Sequence, residues 1–517
     1  MGAGIAQVCA LGGFETRLHD PFPEALERGL DSVREGLRKG AERGRWSAEQ
    51  ATEAQARLHP ARDLEDLSGC GLVIEAAPED MELKRDLFRR LSAVCPPDTV
   101  LATNTSSLPV TALAAAAGRP ERVVGMHFFN PPAVMELLEV VAGAESSGEA
   151  VAIARAAGER MGKRVIIAKD GPGFLANRCA RPFGLESLRL LAEGVADHAT
   201  IDRIVRMGAN FRMGPFELAD LVGIDVGFEV SKSFYEQSFH EPRWRPSLIQ
   251  AQMVQAGRIG RKAGRGYYDY RGDRHRDQDP ETLQARGKGK VAIEGDGTLA
   301  DELRALAAEA GLEVTHADGS NGDAPDLVVD AAVGRSAADI AALGELGTPT
   351  CILCVDGSLA ELDAGGGGVG FHALPPLAES RLVELTRSAF TSDQTANAAE
   401  TFFHTLGKHV EWVGDAPGLV LGRIFCQLVN EACFALADGV GSADDIDTAM
   451  LLGYNYPRGP LEWADIVELD HVLITIDALY EERREERYRA APLLRRMVAE
   501  GRLGRSTGEG FFQYELS

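Results

Sequence analysis

The chain has 517 residues, 45% hydrophobic and 26% charged, a globular balance that excludes fibrous and disordered classes and, at roughly 150 residues per domain, predicts three or four domains. A formal net charge of -24 excludes nucleic acid and anionic membrane surfaces as partners, so an anionic cofactor needs a local basic site. Eight scattered cysteines, no membrane-length apolar run and no basic segment ahead of the apolar start point to a cytoplasmic protein with reduced thiols.

Gly2 to Gly13 reads as a helix and Phe14 to Asp20 as a strand ending in an acid. Together they form the second half of a dinucleotide-binding unit, in which a glycine-rich turn opens a helix and an acid about twenty residues on holds the ribose hydroxyls. Only the third glycine of that turn, Gly2, is present; the first strand and two glycines would lie before Met1. No arginine follows Asp20, which favours NAD over NADP; the bland role for Asp20 is a helix N-cap. Leu26, Leu30, Val33 and Leu37 recur at helical spacing, with Arg34, Arg38, Lys39, Arg43 and Arg45 on the polar side. That face is either simply solvated or a site for phosphates.

Two apolar strands come next, at Cys70 to Glu79 and Val100 to Ser107. Their loops would lie at strand C-terminal ends, where open parallel sheets bind ligands. Ser106 is placed to bond a substrate oxygen, whereas Ser107 reads better as a helix cap. In the stretch Val123 to Val140, two short strands flank the proline turn Asn130-Pro131-Pro132 and would fold Glu139 back onto His127. A carboxylate on one imidazole nitrogen leaves the other free to take a proton from a substrate hydroxyl. Alone, such a pair reads better as a core histidine satisfied by a neighbour, and its surroundings reverse that reading.

After Asp170 to Gly173 the strand signals stop, and Phe174 to Asp269 reads as helices, with Asn177 near the start of the first. Residues Arg271 to Lys290 are polar and read as a linker. The chain beyond this linker repeats the chain ahead of it, at low identity but in matching order. VGMHFFNPP returns as VGFHALPP and MGPFELAD as RGPLEWAD, and His127/His372, Glu139/Glu384, Asn177/Gly422 and Gly214/Gly459 share one offset of 245. The second copy carries the strand and GxGxxA turn (Lys290 to Ala300) that the first lacks, with Ala300 aligned to Gly2. It is degenerate where chemistry needs side chains: Ser106 aligns with Gly357, Asn130 with Pro375 and Glu79 with Gly334, and the Asp20 counterpart, Asp318, stands far closer to the next strand. His372 and Glu384 are therefore expected to serve packing or hydrogen bonding.

GIAQ, Asp20, Glu79, Asn104-Thr-Ser-Ser, HFFNPP, Glu139, GF-L-A-NR and KAGRGYY together resemble the L-3-hydroxyacyl-CoA dehydrogenase family over Met1 to about Tyr270. The tandem layout resembles its long bacterial members, including those of phenylacetate degradation. The resemblance implies an α/β Rossmann-like NAD domain (1–169) and a helical domain (170–270). A linker (271–290) then leads to a degenerate Rossmann-like domain (291–414) and a second helical domain (415–517). It implies that His127 is the general base with Glu139 its partner, and that Ser106 and Asn177 contact the substrate 3-oxygen. It matches Gly2, Asp20, Glu79, Lys84, Ser106, Asn130 and Lys262 to positions that touch NAD, and Arg43 to one facing coenzyme A; Gly36 stands where the family can carry a serine. The implied reaction is NAD-dependent, reversible oxidation of a 3-hydroxyacyl-CoA, as in fatty-acid or aromatic catabolism, with no metal. The implied assembly packs the two helical domains as an internal pseudo-dimer, with further homo-oligomers open. The rival readings are another Rossmann 3-hydroxyacid dehydrogenase, which HFFNPP opposes, and a non-catalytic acyl-CoA-binding or scaffolding protein.

Overall fold

The computed structural model describes residues 1–282, 287–317 and 324–515; Asp318 lies outside them. The first half runs α1 (Gly2–Leu11), β1 (Thr16–His19), α2 (Pro23–Glu42), α3 (Ala48–Ala56), β2 (Leu58–Ala61), β3 (Leu72–Glu75), α4 (Met81–Val94), β4 (Val100–Thr103), α5 (Val110–Ala117), β5 (Val123–Phe128), β6 (Leu137–Ala142), α6 (Gly148–Arg160) and β7 (Arg164–Lys169). Helices α7 (Ala176–Glu193), α8 (His198–Ala209), α9 (Pro215–Val222), α10 (Ile224–Gln237) and α11 (Leu248–Gln255) complete it.

The second half repeats the order: β8 (Lys290–Glu294), α12 (Thr298–Glu309), β9 (Glu313–Thr315), β10 (Leu327–Asp330), α13 (Ala337–Gly344), β11 (Thr350–Leu353), α14 (Leu359–Leu362), β12 (Val369–His372), β13 (Leu382–Arg387), α15 (Asp393–Thr405) and β14 (His409–Trp412). It ends in α16 (Leu421–Ala437), α17 (Ala443–Tyr454), α18 (Pro460–Val467), α19 (Leu469–Arg483) and α20 (Pro492–Ala499). The fold class read from the sequence, Rossmann-like α/β followed by helices and then repeated, is the fold observed.

The chain forms two compact units, each drawing on both halves of the sequence. One comprises Met1–Arg178 and takes in Asp438–Tyr454 of the second half; the other comprises Cys179–Ala437 and Asn455–Ser517.

In the first unit β3-β4-β5-β6-β7 form one sheet, parallel except for the antiparallel pair β5-β6, while β1-β2 form a separate parallel pair. Buried Val100, Ala102, Val124, Met126, Leu138 and Val140 pack beneath Ile5 and Val8 of α1 and Ala150, Ala154 and Ala157 of α6. These near-continuous apolar runs are what a sheet covered on both faces requires. In the second unit all seven strands join in the order β14-β13-β12-β11-β10-β8-β9. There β8 pairs with both β10 and β9, the place where the first half has two sheet pieces.

Each unit also joins segments of both halves, and the contacts recur with the halves exchanged. In the first unit the Lys169 N–H donates to the Val440 carbonyl at 2.9 Å and Arg178 pairs with Asp438 at 2.7 Å. In the second, the Gly414 N–H donates to the Val195 carbonyl at 2.7 Å and Arg423 pairs with Glu193 at 2.6 Å. Adding or subtracting 245 converts one set into the other.

Part of the expected linker is anchored. His275 and Arg276 each meet Glu217 at 2.8 Å, and Asp279 meets Arg206 at 2.6 Å. The reason is charge: Glu217 and Arg206 are buried and pair with each other at 2.8 Å, and the segment supplies further opposite charge to each.

Candidate active site

The β5-β6 register sets His127 opposite Glu139. Cross-strand neighbours lie close enough for side chains to bond, and the His127 Nδ1 sits 3.0 Å from Glu139 Oε2. Glu139 is fully buried, and its other oxygen accepts the backbone N–H groups of Leu175 at 2.7 Å and Ala176 at 3.1 Å. These are donors at the start of α7, where a helix has spare N–H groups and favours negative charge. The strand, the imidazole and the helix are thus locked to one carboxylate. With Nδ1 engaged, Nε2 is the nitrogen left to exchange a proton. Phe129 and Phe174 flank the imidazole at ring distances of 4.7 and 6.0 Å.

Asn177, in the first turn of α7, donates from Nδ2 to the Ser106 carbonyl at 3.3 Å, and its Oδ1 accepts the Tyr454 hydroxyl. The structure therefore gathers His127, Glu139, Asn177 and Ser106, together with a residue the sequence reading missed. Tyr454 stands where the first copy has Ala209, and that difference between aligned copies was the available signal.

The loops after β3 and β4 are tied through Glu79. Its Oε1 accepts the N–H groups of Ser106 and Ser107 at 3.1 and 3.2 Å, the Ser107 hydroxyl at 3.0 Å, and the Thr105 hydroxyl. Burial opposes the charge, but the bonds from Thr105, Lys84 and Ser107 hold the carboxyl below its ordinary value. Ser107 is consequently not a helix cap: α5 begins at Val110, with Pro109 at the cap, because the serine is drawn to Glu79 instead.

Lys84 is 1% exposed, bonded to Glu75 at 2.9 and 3.1 Å and to Glu79 at 3.1 Å. Its charge is spent inside the fold, where it braces the β3 loop. Glu75, also bonded by Thr103 at 2.7 Å, is a second residue that sequence reasoning passed over.

Asp20 lies at the end of β1 and accepts the Phe22 N–H at 3.0 Å, so it shapes the turn into α2, whose cap is Phe22. Gly2 begins α1. Asn130 is exposed on the turn between β5 and β6, and its bond to Pro131 is cis. Lys262 belongs to the second unit, where it meets Asp225 at 2.7 Å. The basic face of α2 is largely answered by its own acids: Arg34 pairs with Asp31, Arg38 with Glu35 and Glu42, and Lys39 with Glu35. Arg43 ends the helix, exposed. Among the described residues no helix is long and apolar enough to cross a membrane, and no group of three or more His, Cys, Asp or Glu could hold a metal ion.

The family model for the NAD-binding domain of 3-hydroxyacyl-CoA dehydrogenase matches residues 1–171. The model for the C-terminal domain of the same family matches twice, at 173–270 and 418–514. The chain is 37% identical to 3-hydroxyadipyl-CoA dehydrogenase of Escherichia coli, over 96% of this chain and 94% of that one. It is 41% identical to a probable 3-hydroxybutyryl-CoA dehydrogenase of Deinococcus radiodurans, over 52% of this chain and 96% of that one. Among solved structures, a 3-hydroxybutyryl-CoA dehydrogenase of Escherichia coli superposes with a TM-score of 0.81 at 35% identity, covering 97% of this chain and 96% of that one.

Proposed function

The chain belongs to the 3-hydroxyacyl-CoA dehydrogenase family, and on that premise we propose that its first half oxidises L-3-hydroxyacyl-CoA to 3-oxoacyl-CoA, reversibly and with NAD, at His127. The observation that carries the assignment is the His127–Glu139 pair at 3.0 Å, with the other oxygen of Glu139 pinned by the start of α7. Glu139 orients the imidazole and stabilises the imidazolium that forms when Nε2 takes the 3-hydroxyl proton. The remaining Asn177 amide hydrogen is available to the 3-oxygen beside Ser106, holding C3 in place during transfer. NAD, when bound, supplies the acceptor for the hydride that leaves C3.

The residues present suit that cofactor. A carboxylate, Asp20, directly follows β1 for the ribose hydroxyls, and the loop after β3 ends in Glu79 beside Ser106. At the opening of α1, Gly2 carries no side chain, and even an added Cβ would meet only Ala76, at 3.8 Å, so a phosphate can approach the helix N-terminus. Arg43 is the candidate contact for coenzyme A. The activity is tested by NADH formation from a 3-hydroxyacyl-CoA; turnover that survives His127→Asn would refute the assignment.

We also infer that the two halves form an internal pseudo-dimer. What supports it is reciprocity: Arg178–Asp438 against Arg423–Glu193, and Lys169–Val440 against Gly414–Val195, is the self-complementary pattern of a twofold interface. Eight cysteines that form no disulfide among the described residues support a reducing, cytoplasmic setting.

A further inference from the structure

Segment Asp438–Tyr454 comes from the second half but is part of the unit that holds His127. Two of its glycines let it in. A Cβ on Gly441 would lie 2.5 Å from Leu175, and one on Gly453 2.8 Å from Leu137 and 3.2 Å from the Phe129 ring. Helix α17 thereby reaches β6 and the aromatic wall of the site. Its last residue, Tyr454, sets its ring edge-on to Phe129 at 6.3 Å, and Phe129 in turn stands 4.7 Å from His127.

The hydroxyl of Tyr454 bonds Asn177, and the chemistry of the neighbours decides which way that amide faces. The Ser106 carbonyl can only accept, so the amide nitrogen must turn to it. The amide oxygen is then the atom left for Tyr454, whose hydroxyl donates. One amide hydrogen goes to Ser106 and the second remains for a ligand.

We propose that Tyr454 is a positioning residue supplied by the second half: by donating to Asn177 Oδ1, it holds the Asn177 amide with its nitrogen toward the 3-oxygen of the acyl-CoA. The proposal rests on the dehydrogenase reading of His127. It gives the catalytically degenerate second half a part in the first half's chemistry. The first half cannot return it, because the matching position is Ala209.

The test uses the full chain, with 3-oxobutyryl-CoA and NADH as the probe. Tyr454→Phe keeps the ring against Phe129 and removes only the donor. We expect kcat to fall about tenfold, in keeping with the loss of one hydrogen bond at the reacting oxygen, while KM for NADH and the melting temperature stay unchanged. The same substitution placed on Asn177→Ala should have no further effect, since its target is gone. Full activity of Tyr454→Phe, or a tenfold loss that persists in the Asn177→Ala background, overturns the proposal. His127→Asn run in parallel separates the two readings: if it is inactive while Tyr454→Phe is fully active, only the role of Tyr454 falls. If His127→Asn is as active as the parent, or the parent is inactive, the dehydrogenase reading falls and this proposal with it.

Discussion

In the first half His127 faces Glu139 across β5-β6, and in the second His372 faces Glu384 across β12-β13 at the same register. Both glutamates are buried and both accept two backbone N–H groups at the start of the following helix. The difference is in how the oxygens are shared. Glu139 takes both N–H groups on Oε1 and keeps Oε2 for its histidine. Glu384 takes Val420 on one oxygen at 2.7 Å and Leu421 on the other at 2.9 Å. His372 is left with Nδ1 unbonded among the described residues and Nε2 3.4 Å from His471.

Burial is then the largest cause at each group, and at Glu384 it outweighs the two backbone N–H bonds. Glu384 is pushed up to about 8, His372 well down, and His471 down to about 4. A Cβ on Gly422 would already lie 2.4 Å from the His372 ring, so nothing like Asn177 fits there. A shared register therefore does not make a shared dyad; the allocation of one carboxylate oxygen does.

The comparison can be broken most decisively at the dyads. His127→Asn should lower kcat by about 10²–10⁴-fold, the usual worth of a positioned acid/base group, and Glu139→Gln should lower kcat more than it raises KM. Steady-state NADH assays on the two variants check this.

Next come the reciprocal arginines. Arg423 is fully buried against Glu186, Glu193 and Tyr488, whereas the partner of Arg178, Asp438, is 56% exposed. Arg423→Met should cost roughly 3–5 kcal/mol by stranding buried charge, and Arg178→Met much less. Urea unfolding of both variants measures the asymmetry, and equal losses would mean that exposure of the partner does not matter.

A smaller effect belongs to Glu384. Its folded value, raised from 4.5 to about 8, means that the folded state holds a proton the unfolded state has released. Stability from this group is thus complete below pH 4.5 and is lost as the pH rises toward 8. Glu384→Gln removes that titration, so its melting temperature should gain on the parent's across this window; a constant gap would show that Glu384 does not titrate there. Smallest of all, His372→Asn should leave turnover unchanged, and a kcat loss would reveal a second working site.

Much of this protein was legible in its residues alone. The helix and strand order, the proline turn that folds Glu139 back to His127, and the repeat at one offset of 245 all depend on local periodicity, turn chemistry or direct comparison within the chain. Tertiary structure decided the rest. Packing put Lys84 on Glu75 and Glu79, and drew Ser107 to Glu79 rather than to a helix cap. Buried Glu217 and Arg206 anchored a stretch whose polarity alone read as linker. Helix α17 joined the unit of the other half and set Tyr454 on Asn177, 277 residues away. Spacing cannot carry such information, because side chains far apart in sequence meet only where close-packed elements bring them together, and each buried polar atom then bonds whichever partner the packing leaves within reach.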